Sequence, residues 1–233
     1  MIYAVLLAGG TGTRMKTSKV PKQFIELGGE PILRLTVEKF LMCPKVDHVI
    51  VAAPAIWIGY TKELLKDSRF ADIRVCEGGS TRQESLYNAV RFIGSVFPIA
   101  EDDIIVSHDV ARPFVSLRVI EENIDALDEF GAAATVMPAT DTIVESDDGR
   151  CITCIRDRSR MYQAQTPQTF RRKDYIRIYG SLSHEYLERV TDAARILSEN
   201  GVTVALVRGD ETNMKITTDH DLTIAAYFAS AGA

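Results

Sequence analysis

The stretch Ile2-Tyr3-Ala4-Val5-Leu6-Leu7-Ala8-Gly9-Gly10-Thr11-Gly12-Thr13-Arg14-Met15 decides the fold. A continuous apolar run from Ile2 to Leu7, stopped by glycines, predicts a strand buried on both faces of a parallel sheet. The run is short, no basic segment precedes it and glycines follow at once, so it reads as a strand rather than a secretion signal. Glycines let backbone amides approach an anion without Cβ interference. Arg14 adds a fixed cation, and Lys22 follows behind Pro21, which stiffens the chain. Leu7, Ala8, Gly9, Gly10, Thr11 and Gly12, with Arg14 and Lys22, are therefore expected to wrap a triphosphate. A Walker A loop needs Gly-Lys-Ser/Thr after four spacers, which is absent, and Met15 stands where a Rossmann fingerprint needs its third glycine. A structural tight turn is the other reading of the glycines alone.

Outward from this loop, strands and helices alternate. Pro31–Met42 carries helical spacing, His48–Ala53 is a second apolar run, and Ile56–Lys66 reads as a helix. A short strand at Ile73–Cys76 leads to a helix from Ser80, with Ser80 and Gln83 as a capping box. Ile104–Ser107 is a strand ending at His108 and Asp109, followed by a helix at Leu117–Glu129 and a strand at Ala132–Pro138. The rhythm then breaks: short β-like segments flank the turn Ser146-Asp147-Asp148-Gly149 and predict a hairpin arm over about 139–160. Helices at Lys173–Leu182 and Asp192–Asn200, a strand at Val202–Val207 and a helix near Asp219–Phe228 complete the chain. The expectation is one α/β domain over 1–233, three layers around a mostly parallel sheet, with ligands beyond the carboxyl ends of the strands.

Composition sets limits. The 233 residues are 46% hydrophobic and 25% charged with a formal net charge of −5, which suits a folded domain and argues against nucleic-acid binding, since that needs a basic footprint. No run of about 18 apolar residues offers a membrane span. Cys151 and Cys154 form a lone C-x-x-C with no second pair, and all four cysteines read as reduced thiols of a cytoplasmic protein.

Further motifs sit at expected strand ends. These are Glu77-Gly78-Gly79-Ser80-Thr81-Arg82, His108-Asp109-Val110-Ala111-Arg112-Pro113-Phe114, Gln165-Thr166-Pro167-Gln168 and Asn213-Met214-Lys215-Ile216-Thr217. Asp109 ends a buried strand, the place for a functional carboxylate; a helix cap or turn residue is the plain alternative. His108 reads as a packed strand-end residue. Together with the first loop, these motifs resemble the cytidylyltransferases that activate methylerythritol 4-phosphate or ribitol 5-phosphate, in the right order over most of the chain.

The resemblance implies a Rossmann-like nucleotidyltransferase in which CTP meets a small polyol phosphate and pyrophosphate leaves. Arg14, Lys22 and Lys215 would be catalytic cations. Cytosine would lie against Gly78, Gly79 and the helix start, with Ser80, Arg82 and Ser85 nearby; many relatives carry Asp where Ser80 stands. Asp109 would hold Mg²⁺ or another divalent cation and, with Arg112, Arg158 and Thr191, line the acceptor site. In such enzymes the arm crosses to a second subunit, so a homodimer with arm exchange is implied, Arg158 reaching the neighbour's site. Thr191 also reads as a helix N-cap. The acceptor reading favours ribitol 5-phosphate: this chain has Leu-Ala-Gly-Gly where methylerythritol enzymes more often show Ala-Ala-Gly, lacks their basic residue before Asp141-Thr142, and has Met161-Tyr162 for their Leu-Trp. Methylerythritol 4-phosphate is the alternative. Sugar-1-phosphate and molybdopterin nucleotidyltransferases share the first loop alone, and a nucleotide sensor without catalysis would not need the full cation set.

Overall fold

A computed structural model describes residues 1–9 and 20–231; Gly10, Thr11, Gly12 and Arg14 lie outside the described residues. In chain order the elements are β1 (Ile2–Leu7), β2 (Glu26–Leu27), β3 (Glu30–Pro31), α1 (Ile32–Leu41), β4 (His48–Ala53), α2 (Ile58–Leu64), β5 (Arg74–Glu77), α3 (Arg82–Val96), β6 (Ile104–Asp109), α4 (Leu117–Asp125), β7 (Ala132–Pro138), β8 (Val144–Glu145), β9 (Cys154–Ile155), β10 (Tyr162–Arg171), α5 (Arg172–Tyr179), α6 (His184–Arg189), α7 (Ala193–Glu199), β11 (Val204–Arg208) and α8 (Asp219–Ser230), with short 3₁₀ turns between them. Seven strands form one sheet in the order β11-β7-β10-β6-β1-β4-β5.

Successive strand residues point to opposite faces, and β1 shows why an unbroken apolar run is needed. Ala4 and Leu6 enter one core with Ile32, Leu33, Val37 and Phe40 of α1 and with Val119 and Ile120 of α4. Tyr3, Val5 and Leu7 enter the other, against Leu86, Val90 and Ile93 of α3 and Ile196 and Leu197 of α7. Both faces of the strand are covered, so both registers of side chain must be apolar.

The chain builds outward from β1 to β4 and β5, then returns to place β6 on the other side of β1. That reversal makes the carboxyl ends of β1 and β6 a topological switch point, where open α/β sheets form their crevice. Leu7 of β1 is in register with Asp109 of β6, so the glycine loop and the carboxylate leave the sheet side by side.

Three expectations need correction. The strand β10 is absent from the sequence reading, yet it lies inside the sheet, antiparallel to both β6 and β7. Its residues Tyr-Gln-Ala-Gln-Thr-Pro-Gln-Thr-Phe-Arg neither alternate nor run apolar, and a central proline argues against a strand. The ladder to β7 shifts between Ala164 and Gln168, so Pro167 sits where no ladder N–H is required. The α3 cap falls one residue later than expected: Thr81 accepts from the Glu84 amide, and the Glu84 carboxylate accepts from the Ser80 amide and hydroxyl. Gln83 is instead buried beside Tyr175. At α7 the cap is Asp192, not Thr191, accepting from the Arg195 amide at 2.8 Å.

The arm is present with shorter strands than expected. β8 and β9 pair as a two-stranded sheet, and the Arg156 guanidinium donates two hydrogen bonds of 2.7 Å to the Glu145 carboxylate. Gly149 turns the chain with φ +69°, a left-handed conformation that favours glycine.

The buried position of β10 is testable. Phe170 is fully buried and packs on Tyr175 at 4.7 Å between ring centroids. Phe170→Ala is expected to lower the unfolding free energy by about 3–5 kcal/mol in urea titration, whereas Ile56→Ala, at an 85% exposed position, stays within about 0.5 kcal/mol of wild type.

Candidate active site

Two clefts meet at the carboxyl edge of the sheet. The first, about 260 Å³, is walled by Leu7, Ala8 and Gly9 after β1, by Lys22, by Gly79 to Arg82 with Ser85 at the start of α3, and by Asp109 and Lys215. The second, about 480 Å³, is lined by Arg112, Thr140, Gln163, Glu211 and again Lys215, among others. Lys215 is thus common to both.

The α3 end of the first cleft is locked by one hydroxyl. Ser85 Oγ accepts from the Gly79 amide at 2.9 Å and donates to the Thr81 carbonyl at 2.8 Å. A Cβ on Gly79 would fall 2.6 Å from Glu84 Cβ, so this close turn admits only glycine. On the opposite wall Gln23 is buried and donates to the Ala8 carbonyl at 2.8 Å, fixing the chain as it leaves β1. Gln23 directly follows Pro21 and Lys22 in the chain, a buried brace next to the cation that the sequence marks. Lys22 Nζ donates to the Ile216 carbonyl at 3.1 Å, tying the first loop to the segment that carries Lys215.

At the joint sits Asp109, 7% exposed. Its Oδ1 accepts from Arg82 Nε at 2.9 Å and its Oδ2 from Lys215 Nζ at 2.7 Å. Burial alone would push this carboxyl up; Arg82 and Lys215, and then Arg112, more than reverse it and hold the acid far below the usual carboxylate range. Asp109 is therefore ionised at any physiological pH. The outer nitrogens of Arg82 are buried with no partner among the described residues, which equips them to donate to an anion. Arg112 Nη1 donates to the Asn213 carbonyl at 2.7 Å. Arg158 is exposed at the base of the arm and donates to the Thr140 carbonyl, on the wall of the second cleft, at 2.8 Å.

Most sequence-predicted residues converge. Leu7, Ala8, Gly9, Lys22, Gly79, Ser80, Arg82, Ser85, Asp109 and Lys215 line the first cleft, and Arg112 lines the second. Gly78 faces a separate hollow on the far side of the same loop. Thr191 is exposed and lines neither cleft. No group of three His, Cys, Asp or Glu among the described residues is arranged to cage a metal. One ionised carboxylate suits Mg²⁺, which takes one or two carboxylates and completes its shell with phosphate oxygens and water. The donor set thus fits a cation that arrives on a polyphosphate.

A carboxyl-edge crevice on a mostly parallel sheet, cationic and glycine-bordered, suits the binding of a nucleotide's phosphates, the site of a nucleotidyltransferase. Residues 2–230 match the family model of IspD, 2-C-methyl-D-erythritol 4-phosphate cytidylyltransferase. The chain is 46% identical over 231 residues, 97% of each sequence, to a ribitol-5-phosphate cytidylyltransferase from Streptococcus pneumoniae. Among solved structures it is similar to 4-diphosphocytidyl-2C-methyl-D-erythritol synthase from Anaerococcus prevotii, with TM-score 0.82, 27% identity and coverage of 98% and 96% of the two chains. It is also similar to the 2-C-methyl-D-erythritol 4-phosphate cytidylyltransferase of Francisella tularensis, with TM-score 0.80, 29% identity and coverage of 97% and 98%. This chain belongs to the IspD cytidylyltransferase family.

Beside Asp109, burial drives His108 down from its usual 6.5 to about 4. A group depressed in the folded state stabilises the fold above its unfolded pKa and loses that contribution as pH falls through the folded value. Its window is therefore pH 6.5 to about 4, worth about 3 kcal/mol in full; the ionised Asp109 adds acid sensitivity only below about pH 4. Urea unfolding at stepped pH should show the wild type losing stability across the window more steeply than His108→Gln.

Proposed function

We propose that this chain transfers the cytidylyl group of CTP to D-ribitol 5-phosphate, giving CDP-ribitol and pyrophosphate. The observation that carries the reading is the joint at Asp109, where one ionised carboxylate and its cations separate a glycine-bordered cleft from a second, polar one. CTP would occupy the first cleft. Its triphosphate would lie near Lys22 and the preceding loop with Arg14, and its cytosine near Gly79 and Ser85, with Gly78 behind them in the same loop. The polyol phosphate would occupy the second, its phosphate near Arg112 and Lys215 and its hydroxyls toward Thr140, Gln163 and Glu211. Thr191 is assigned to the acceptor side by family resemblance alone.

The chemistry asks little of acid–base groups. The acceptor phosphate is already a nucleophile at neutral pH. Its oxygen forms a bond to the α-phosphorus of CTP while the bond from that phosphorus to the bridging oxygen of pyrophosphate breaks. Charge accumulates on phosphate oxygens, and fixed cations that need no rearrangement stabilise it. Asp109 would help to hold Mg²⁺ with the nucleotide, and the ion would supply further charge neutralisation. CTP supply places the reaction in the cytoplasm.

The second reading is methylerythritol 4-phosphate as acceptor, supported by the name of the family model and by the relatives of known structure. The 46% identity to the pneumococcal enzyme favours ribitol. Incubation with CTP, Mg²⁺ and each polyol phosphate, read by product mass, decides between them. CDP-ribitol formed at least about tenfold faster is expected, and equal or reversed preference overturns the choice of acceptor. Asp109→Asn should raise the Mg²⁺ concentration needed for half-maximal turnover; an unchanged requirement removes Asp109 from the metal site.

A homodimer with exchanged arms completes the proposal. Val144, Ile152 and Ile155 on the arm are 47%, 62% and 63% exposed, and a two-stranded hairpin alone in water is marginal. A second copy under two-fold symmetry is the simplest cover. If Arg158 serves the neighbour's acceptor site, an Arg158→Ala chain mixed with an Arg14→Ala chain regains activity, since one site of each heterodimer is intact. Turnover of the mixture after confirmed subunit exchange checks this, and no recovery refutes the shared site.

A further inference from the structure

The turn that carries Asp109 and Arg112 is held by groups that line neither cleft. The Asp109 amide donates to Thr166 Oγ1 at 3.1 Å, Thr166 Oγ1 lies 3.0 Å from His108 Nδ1, and His108 Nε2 lies 3.1 Å from the Arg112 carbonyl. His108 and Thr166 are buried at 0% and 4% exposure. The circuit continues through the Arg112 guanidinium to the Asn213 carbonyl, and from Asn213 Nδ2 to the Thr166 carbonyl at 2.8 Å. It closes on Thr166, the residue that receives the Asp109 amide.

For a neutral ring, one proton order satisfies both ends. A backbone amide can only donate and a backbone carbonyl can only accept. The Arg112 carbonyl requires a proton on Nε2. In the neutral ring Nδ1 then accepts, and the Thr166 hydroxyl, whose oxygen also accepts from the Asp109 amide, donates to it. The opposite tautomer would set the Nε2 lone pair against that carbonyl, two acceptors 3.1 Å apart with the ring buried. The relay grips the turn at both ends, at the amide of the residue that faces the nucleotide cleft and at the carbonyl of the residue that faces the acceptor cleft.

We propose that His108, as the neutral Nε2–H tautomer, and Thr166 are positioning residues of the transfer reaction, setting Asp109 and Arg112 relative to one another across the two clefts. Neither touches substrate. Their effect runs through the placement of the carboxylate and guanidinium, and a misplacement of about 1 Å at such groups costs about 10²-fold in rate. The kinetic part rests on the cytidylyl-transfer reading; the tautomer does not.

The experiment uses the full-length wild type, Thr166→Val, which keeps shape and loses the hydroxyl, and Thr166→Ser, which keeps the hydroxyl. Of the four histidines, the His108 signals are identified in ¹⁵N spectra by their absence from His108→Gln. The wild type is expected to show a neutral ring protonated on Nε2. Thr166→Val should show a ring no longer confined to that tautomer, kcat lower by about 10- to 100-fold and a KM for CTP within about twofold of wild type. Thr166→Ser should recover to within about threefold in kcat and retain the wild-type spectrum. A wild-type ring protonated on Nδ1, wild-type kcat in Thr166→Val, or a Thr166→Ser chain as slow as Thr166→Val overturns the proposal. If Thr166→Val does not fold, the wild-type spectrum and the Thr166→Ser kinetics still decide. Absence of cytidylyl transfer by the wild type would refute the functional reading alone, since the tautomer is measured without substrate.

Discussion

An ionised carboxylate buried between two cations is the interaction on which the rest of the site is built. Asp109 is the last residue of β6, Arg82 the first of α3, and Lys215 follows β11. Taking such charges out of water costs several kcal/mol for each ion, and the attraction between them offsets this only if geometry and hydrogen bonding are good. The two bonds of 2.9 and 2.7 Å to separate carboxylate oxygens meet that demand. Three segments distant in sequence are thereby held to one point, and the site exists before any ligand enters.

The same arrangement poises the cations for anions. Arg82 offers Asp109 only its Nε, leaving two nitrogens in the wall of the first cleft, and Lys215 lines both clefts while bound to one oxygen. An arriving phosphate finds positive groups already oriented, with their orientation built into the fold. There is a structural consequence. Removing either cation leaves the buried Asp109 carboxylate with fewer compensating charges and so costs stability as well as activity. Loss of activity on truncating Arg82 or Lys215 is therefore interpretable only beside a stability measurement.

Sequence carried the parallel half of the fold because local pattern encodes it. β1, β4 and β7 are apolar runs buried on both faces, and their bounds matched at His48–Ala53 and Ala132–Pro138. The glycine and cation motifs were equally legible, since a run such as Gly78-Gly79 with Arg82 one turn on states its chemistry within a few residues. β10 was not legible. Its polar residues point at partners remote in sequence: Thr166 at the Asp109 amide 57 positions away, Gln165 at Asn213 48 away, Gln168 at the first amides of α7. No periodicity reports bonds of that range. The available signal was the uncharged polar run with a proline, Gln165 to Gln168; buried polar side chains persist only when bonded. The caps slipped by one residue at Thr81 and Asp192 because adjacent Ser, Thr and Asp compete for the same amide, and the backbone angle at the helix entrance decides between them.

The reversed direction of β10 explains how the arm and the site come to be connected. β7 ends at Pro138 on the ligand edge of the sheet, and β10 begins there, with Tyr162 opposite Pro138. An antiparallel pair can be joined at one edge by any loop, while a parallel pair needs a crossover to the far edge. The arm is therefore an elongated hairpin connection inserted at the one edge where ligands bind. Register then places the first half of β10 beside the end of β6: Gln168 pairs with Ser107, which brings Thr166 level with Asp109. Arg158 at the arm's base lies eight positions before Thr166. A parallel strand in this slot would deliver its first residues to the opposite edge, with no path from arm to carboxylate. The single antiparallel strand in an otherwise parallel sheet is thus what lets one continuous segment form the arm, wall the second cleft and brace the turn at Asp109.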